Sequence, residues 1–218
     1  MSFQTYRLNG TLKFPKFKRP ESFNNETGKF IEDWEEGSFG TQLLMSVKEA
    51  SSASMDIIQF EKEERQKLID SVKKGDKYKG MKDTDILPSS MPYQEEKGES
   101  GNLTGQIEFR LKRKLKNKKG EKKEITFVDT KKVALDKDEI AAIGSGSEVN
   151  IIYVPYAWDK KTKNPQTKEE FIEFGISLCI LGVQVVKMVS NNSIADEFEE
   201  VEGYVKNGEL IGEDEIPF

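Results

Sequence analysis

The sequence predicts a mainly β fold, a small antiparallel barrel with one inserted helix and a disordered acidic C-terminal tail. Three observations predict it. Six or seven apolar, β-rich segments follow one another without a βαβ rhythm, which makes hairpin-linked antiparallel pairing the economical topology. One longer stretch between the second and third of them has helical spacing. Acid collects beyond residue 195, where few apolar residues exist to offset the entropy of ordering.

The elements follow in order. Residues 7–14 read as the first strand, with Pro15 and Pro20 limiting it. Gly37 and Gly40 bound a turn before a strand at Thr41–Lys48, and Ser51, Ser52 and Ser54 mark a loop-like stretch. Glu61–Lys74 reads as a helix: Phe60, Leu68, Ile69 and Val72 share one side, acids lead, bases close it, and Gly75 caps it. Residues 76–102 read as a long loop. Leu103–Lys116 alternates, with Ile107, Phe109, Leu111 and Leu115 on one side and Arg110, Lys112, Lys114 and Lys116 on the other. Lys118 to Glu121 is a turn signal and Ile125–Val128 begins the return strand, which predicts a long basic hairpin. Asp136–Ile143 reads as a short helix. Glu148–Trp158 is a strand, Asp159–Lys168 a polar loop, and Phe171–Ile180 and Val183–Val189 the last strands, with a bend or bulge at Gly182. Cys179 reads as a small core residue between Leu178 and Ile180. Among small barrels the OB-fold is the one that hosts oligonucleotides. Residues 1–190 are read as one such domain and 191–218 as a protein-interaction tail.

The chemistry the chain lacks narrows its function. It has 218 residues, no His and one Cys. A Ser-His-Asp triad, a Cys-His dyad, a His-ligated metal and a Cys-rich zinc site are all excluded. No phosphate-binding Gly loop and no nucleophile elbow are present. The acids Glu32, Asp33, Glu35 and Glu36 around Trp34 read as a solvated loop. No catalytic residue, metal or cofactor is expected, and the chain reads as a binding protein rather than an enzyme. No apolar run reaches the ~18 residues of a membrane span, and no secretory leader is visible, so a cytoplasmic location is expected.

The charge is uneven. The chain carries 34 Lys+Arg and 39 Asp+Glu, a net of -5. Residues 196–218 hold nine acids and one base, so the tail is -8 and the remaining 195 residues are +3. Nine bases lie between Arg110 and Lys123 against one acid, Glu121. Among them Arg110, Lys112, Arg113, Lys114, Lys116, Lys118 and Lys119 are candidates to track a phosphate backbone. A second basic cluster, Lys13, Lys16, Lys18 and Arg19, is interleaved with Phe14, Phe17 and Phe23. Aromatic rings beside bases can stack on unpaired nucleobases. The candidates are Phe14, Phe17, Tyr153, Tyr156 and Trp158, with Tyr156 and Trp158 sharing a strand face and leading to Lys160 and Lys161.

The last residues, Glu213, Asp214, Glu215, Ile216, Pro217 and Phe218, put an apolar hook behind an acid run, suited to an apolar pocket with a basic rim. This ending resembles the acidic tip of bacterial single-stranded DNA-binding proteins. The body resembles the OB-fold single-stranded DNA-binding proteins of tailed bacteriophages. The likeness rests on the Lys13–Phe17 start, the strand at Thr41–Lys48, the helix, the basic hairpin and the close from Gly175 to Gln184. The acidic stretch 24–40 departs from that pattern. The resemblance implies a protein of the host cytoplasm that coats single strands without sequence preference in phage replication, recombination and repair. It implies a tail that recruits replication proteins such as polymerase and helicase-primase and folds back on the basic groove when DNA is absent. A homodimer and a monomer both remain open. The competing reading is an adaptor or inhibitor whose acidic tail mimics DNA to engage a host protein.

Overall fold

The computed structural model describes residues 4–117 and 119–190. The acidic tail and its tip, and Lys118, lie outside the described residues. In chain order the elements are β1 (Tyr6–Asn24), β2 (Lys29–Glu32), β3 (Ser38–Ser46), α1 (Val47–Lys74), β4 (Tyr93–Lys97), β5 (Leu103–Lys114), β6 (Thr126–Val128), α2 (Lys137–Ala142), β7 (Glu148–Lys163) and β8 (Glu170–Lys187). Five of these strands close a barrel in the order β1-β3-β5-β8-β7 and back to β1. Within the barrel all pairings are antiparallel except β5 with β8, which pair in parallel at Leu111↔Leu178 and Lys112↔Cys179. The expected mainly β barrel with one long helix is what the chain forms.

The core follows strand alternation. Leu8, Leu12, Leu43, Phe109, Val149, Ile151, Tyr153, Leu178, Ile180 and Val183 point inward and are fully buried. In β8 the buried positions change parity between Ile180 and Val183. The register shows why: Ile152 faces Gly182 but Tyr153 faces Ile180, so Leu181 is the extra residue of a bulge. The two expected last strands are therefore one strand, bent where Gly182 suggested.

Helix α1 begins earlier than Glu61. Ser46 caps it, accepting from Glu49 N–H, while the Glu49 carboxylate accepts from Ser46 N–H, a reciprocal capping box. Ala50, Ala53 and Ile57 extend the apolar stripe through the serines to Leu68 and Val72. Serine costs a helix only ~0.5 kcal/mol per residue, so a buried stripe overrides it. The helix ends at Gly75, φ 73°, with Gly75 and Asp76 N–H on the Val72 and Ser71 carbonyls. It packs against β3, β5, β7 and β8. Among the described residues no helix is long and apolar enough to cross a membrane.

Other boundaries also moved. β1 runs through Pro15 and Pro20, because register irregularities between Lys13 and Lys16 and between Lys16 and Glu21 accommodate residues that cannot donate. The stretch 24–40 holds the short hairpin partner β2. The supposed loop 76–102 contains β4, which pairs with β5. β7 extends to Lys163, which shortens the polar loop to 164–169.

The long basic hairpin does not form. β5 is held by β3 on one side and by β4 and β8 on the other, so no edge remains for a return strand. Only a stub folds back, with Lys116 bridged to Lys122 and Lys123 N–H on the Leu115 carbonyl at 2.8 Å. The chain then leaves as β6, parallel to β8, and buries Phe127 edge to face on Phe17 at 5.1 Å.

Candidate nucleic-acid interface

The barrel register assembles one continuous outer face. Directly paired residues lie side by side on the same face of a sheet. One rung runs Lys13↔Gln42↔Arg110 across β1, β3 and β5. The next runs Lys16↔Gly40↔Lys112↔Cys179↔Val154 and so reaches β8 and β7. A third runs Glu21↔Ser38↔Lys114. On the far side Tyr156 pairs with Ser177 and Trp158 with Gly175. OB-folds bind oligonucleotides on the second and third barrel strands and on the loops joining strands 1–2 and 4–5. Here those strands are β3 and β5, and the loops are 25–37 and 164–169.

The cations on this face differ in how they are engaged. Lys13 is tied to the poorly exposed Glu96 at 2.7 Å and lies 3.9 Å from Glu108. The Lys13 ammonium, helped by the Thr104 hydroxyl, holds the Glu96 carboxyl below its ordinary value. Arg110 spans Gln94 and Glu108. Lys16 contacts Glu21 at 2.5 Å. Lys112 and Lys114 are exposed and have no ion-pair partner among the described residues. Exposed lysines without an acid neighbour are the side chains ready to take phosphates and release their counterions.

Tyr156 and Trp158 are half-buried on this face. Trp158 lines a groove with Ser90, Pro92, Arg110, Lys112 and Ser177. Lys160 continues the same face two residues on and is exposed, while Lys161 pairs with Glu170 at 2.7 Å. The fold therefore brings Lys16, Arg110, Lys112, Lys114, Tyr156, Trp158 and Lys160 together from β1, β5 and β7.

Several predicted residues fall elsewhere. Phe17 is 5% exposed and Tyr153 1% exposed, so both are core residues and neither ring can stack on a base. The reason is strand parity: Tyr153 sits with Val149 and Ile151 on the inward side, and the Lys13–Lys16 irregularity turns Phe17 inward. Phe14 is exposed, with positive φ of 50°, and its N–H reaches Ser145 beside the start of β7. Arg113 points Nη1 at the Cys179 sulfur, 3.2 Å away. Cys179 itself is half-buried on the outward side, not in the core, because Leu178 and Ile180 take the inward positions. Lys18 is exposed on β1, and Lys116 and Lys119 lie at the stub.

Three further rings are exposed on the β1–β2 hairpin and the turn after it. They are Phe23, interleaved with the second basic cluster, Trp34, read only as the centre of a solvated loop, and Phe30, which the sequence pattern did not single out. The missed signal was a turn, Asn24 to Gly28, flanked by Phe23 and Phe30. Among the described residues no three His, Cys, Asp or Glu side chains gather as a metal site.

No protein-family model matches the chain, and no curated protein does. Solved structures do match. One is gp2.5, a single-stranded DNA-binding protein encoded by bacteriophage T7, with TM-score 0.61 and 16% identity over 92% of this chain and 100% of that one. A second is the single-stranded DNA-binding protein from bacteriophage Enc34, with TM-score 0.50 and 16% identity over 89% and 90% of the two chains. The Enc34 protein in complex with single-stranded DNA matches with TM-score 0.50 and 15% identity over 85% and 87%. Over most of its length this chain therefore has the fold of these phage single-stranded DNA-binding proteins.

Proposed function

We propose that the chain is a sequence-independent single-stranded DNA-binding protein serving phage DNA replication, recombination and repair in the host cytoplasm. The observation that carries the reading is the outer barrel face, where Arg110 and Lys112 share a groove with Trp158 and lie across β8 from Tyr156. Cations for phosphates next to rings for bases are what a single strand requires and a stacked duplex does not. A structure of the same fold holding single-stranded DNA supports the same partner. The acidic segment ending Glu213 to Phe218 is proposed to recruit replication proteins and, when DNA is absent, to occupy the basic face.

The test is equilibrium binding of oligo-dT and of a duplex of equal length across a salt series. Tight, salt-dependent binding of the single strand with weaker duplex binding is expected. Equal affinity for the duplex, or no single-strand binding, would overturn the reading. Deleting 196–218 is expected to raise single-strand affinity, most at low salt. Unchanged or weaker binding would remove the autoinhibitory role of the tail. Tail-dependent protein binding by a chain that binds no strand would favour the adaptor reading instead.

A further inference from the structure

The β1–β2 hairpin carries large rings that the fold does not use. Phe23 and Phe30 face each other across the hairpin, edge to face with centroids 5.3 Å apart, and are 53% and 62% exposed. Trp34, 56% exposed, follows in the turn and donates its indole N–H to Glu32. The two turns are set by polar groups alone. Asn24 Oδ1 accepts from the Glu26 and Thr27 N–H groups, and Asp33 Oδ1 accepts from those of Glu35 and Glu36. Clustered apolar surface that holds nothing together marks a contact site.

The register says what the contact is. The rung Glu21↔Ser38↔Lys114 is extended onto β2 by Glu21↔Glu32. The aromatic pair Phe23↔Phe30 lies two residues further out on both strands, so it shares the face of Lys112 and Lys114. Lys16 bridges the two regions, with Nζ 4.2 Å from the Phe30 ring centroid. Between the lysines and the rings stand two carboxylates, Glu21 on Lys16 and Glu32 on Arg19 at 3.1 Å. The Trp34 and Arg19 hydrogen bonds hold the Glu32 carboxyl below its ordinary value, so it stays anionic.

We infer that the β1–β2 hairpin is a second stacking platform for unpaired nucleobases, and that Glu21 and Glu32 keep the phosphate backbone off it. The inference rests on the single-strand reading above and names which part of the strand the hairpin takes. Phosphates lie on Lys112 and Lys114, which have no acidic partner among the described residues. Past that rung the acid pair repels phosphate, and the strand presents its bases to Phe23, Phe30 and Trp34.

The test uses the full chain, the double variant Phe23→Ala/Phe30→Ala, and two strands of equal length, oligo-dT and a fully abasic strand. The variant is expected to lose about tenfold or more on oligo-dT, the effect of stacking on one or two bases, and less than about twofold on the abasic strand. Phe23→Trp/Phe30→Trp is expected to restore oligo-dT binding. In a Trp158→Phe background Trp34 is the single tryptophan of the chain, and oligo-dT is expected to quench it. Oligo-dT affinity within twofold of the parent, or equal losses on both strands, would overturn the platform while leaving the single-strand reading intact. Failure of the parent to bind any single strand would remove both.

Discussion

Trp158 packs over Gly175, its partner across β7 and β8, so closely that a β-carbon on the glycine would lie 2.6 Å from indole Cζ2 and 2.9 Å from the Ser90 carbonyl oxygen. The missing side chain at 175 is thus what seats the indole in the groove beside Lys112. Gly175→Ala must displace a ring or a backbone segment. We expect a loss of ~1–3 kcal/mol in urea denaturation, as for other overpacked sites, and altered Trp158 emission. An unchanged midpoint and spectrum would show that the ring is not so confined.

Lys112 stands at the middle rung of the outer face, exposed and with no acidic partner among the described residues. Lys112→Ala is expected to weaken single-strand binding evenly across sequences. The slope of log affinity against log salt should fall by about 1, as it does when one phosphate is no longer neutralised. Lys13→Ala is expected to change the slope less, because its ammonium already serves Glu96 at 2.7 Å. Equal slopes for both variants would contradict this division.

Ser46 holds the start of α1, and Ser46→Ala should cost ~1 kcal/mol in denaturation while leaving strand affinity unchanged. This cap is also where the sequence was hardest to read. Ser51, Ser52 and Ser54 look like a loop because serine competes for local hydrogen bonds, and only the stripe Ala50, Ala53, Ile57 reveals the helix. Strand periodicity was legible: the alternation of β5 and the parity change in β8 near Gly182 both appear in the order of apolar residues. Pairing partners were not. Alternation around Phe127 shows a strand but not its neighbour, and β6 chose β8 over β5 because β5 had no edge left. For the same reason Lys16 and Lys112 look unrelated in sequence, and only the β3 register puts them on one rung. Aromatic residues divided by parity, so Phe17 and Tyr153 went inward while Tyr156 and Trp158 stayed at the surface.

Tyr78 links the end of α1 to the barrel, donating its hydroxyl to Asp159, which also binds Lys77 at 2.6 Å. Burial first, and then the Asp159 hydrogen bond and charge, push the phenol from 10.0 to about 12. The folded state therefore keeps a proton that the unfolded chain releases. The resulting stability is fully present below pH 10 and is lost as pH rises toward 12. Tyr78→Phe should be less stable than the parent at neutral pH, and the gap should narrow across that window in urea melts. A constant gap would show that the phenol does not titrate with folding.

β8 pairs with β7 along nearly its whole length, closes the barrel onto β5, and gives β6 its partner. It is also the last element of the described chain. Until Glu170–Lys187 has been synthesised, β5 and β7 each lack a neighbour and the apolar groups that meet Leu178 and Ile180 face water. The barrel can therefore close only late in translation, from partners far apart in sequence, which is the slow kind of folding step. A nascent chain stopped before residue 170 carries an open, sticky sheet, and it is at that stage that this protein is most exposed to aggregation.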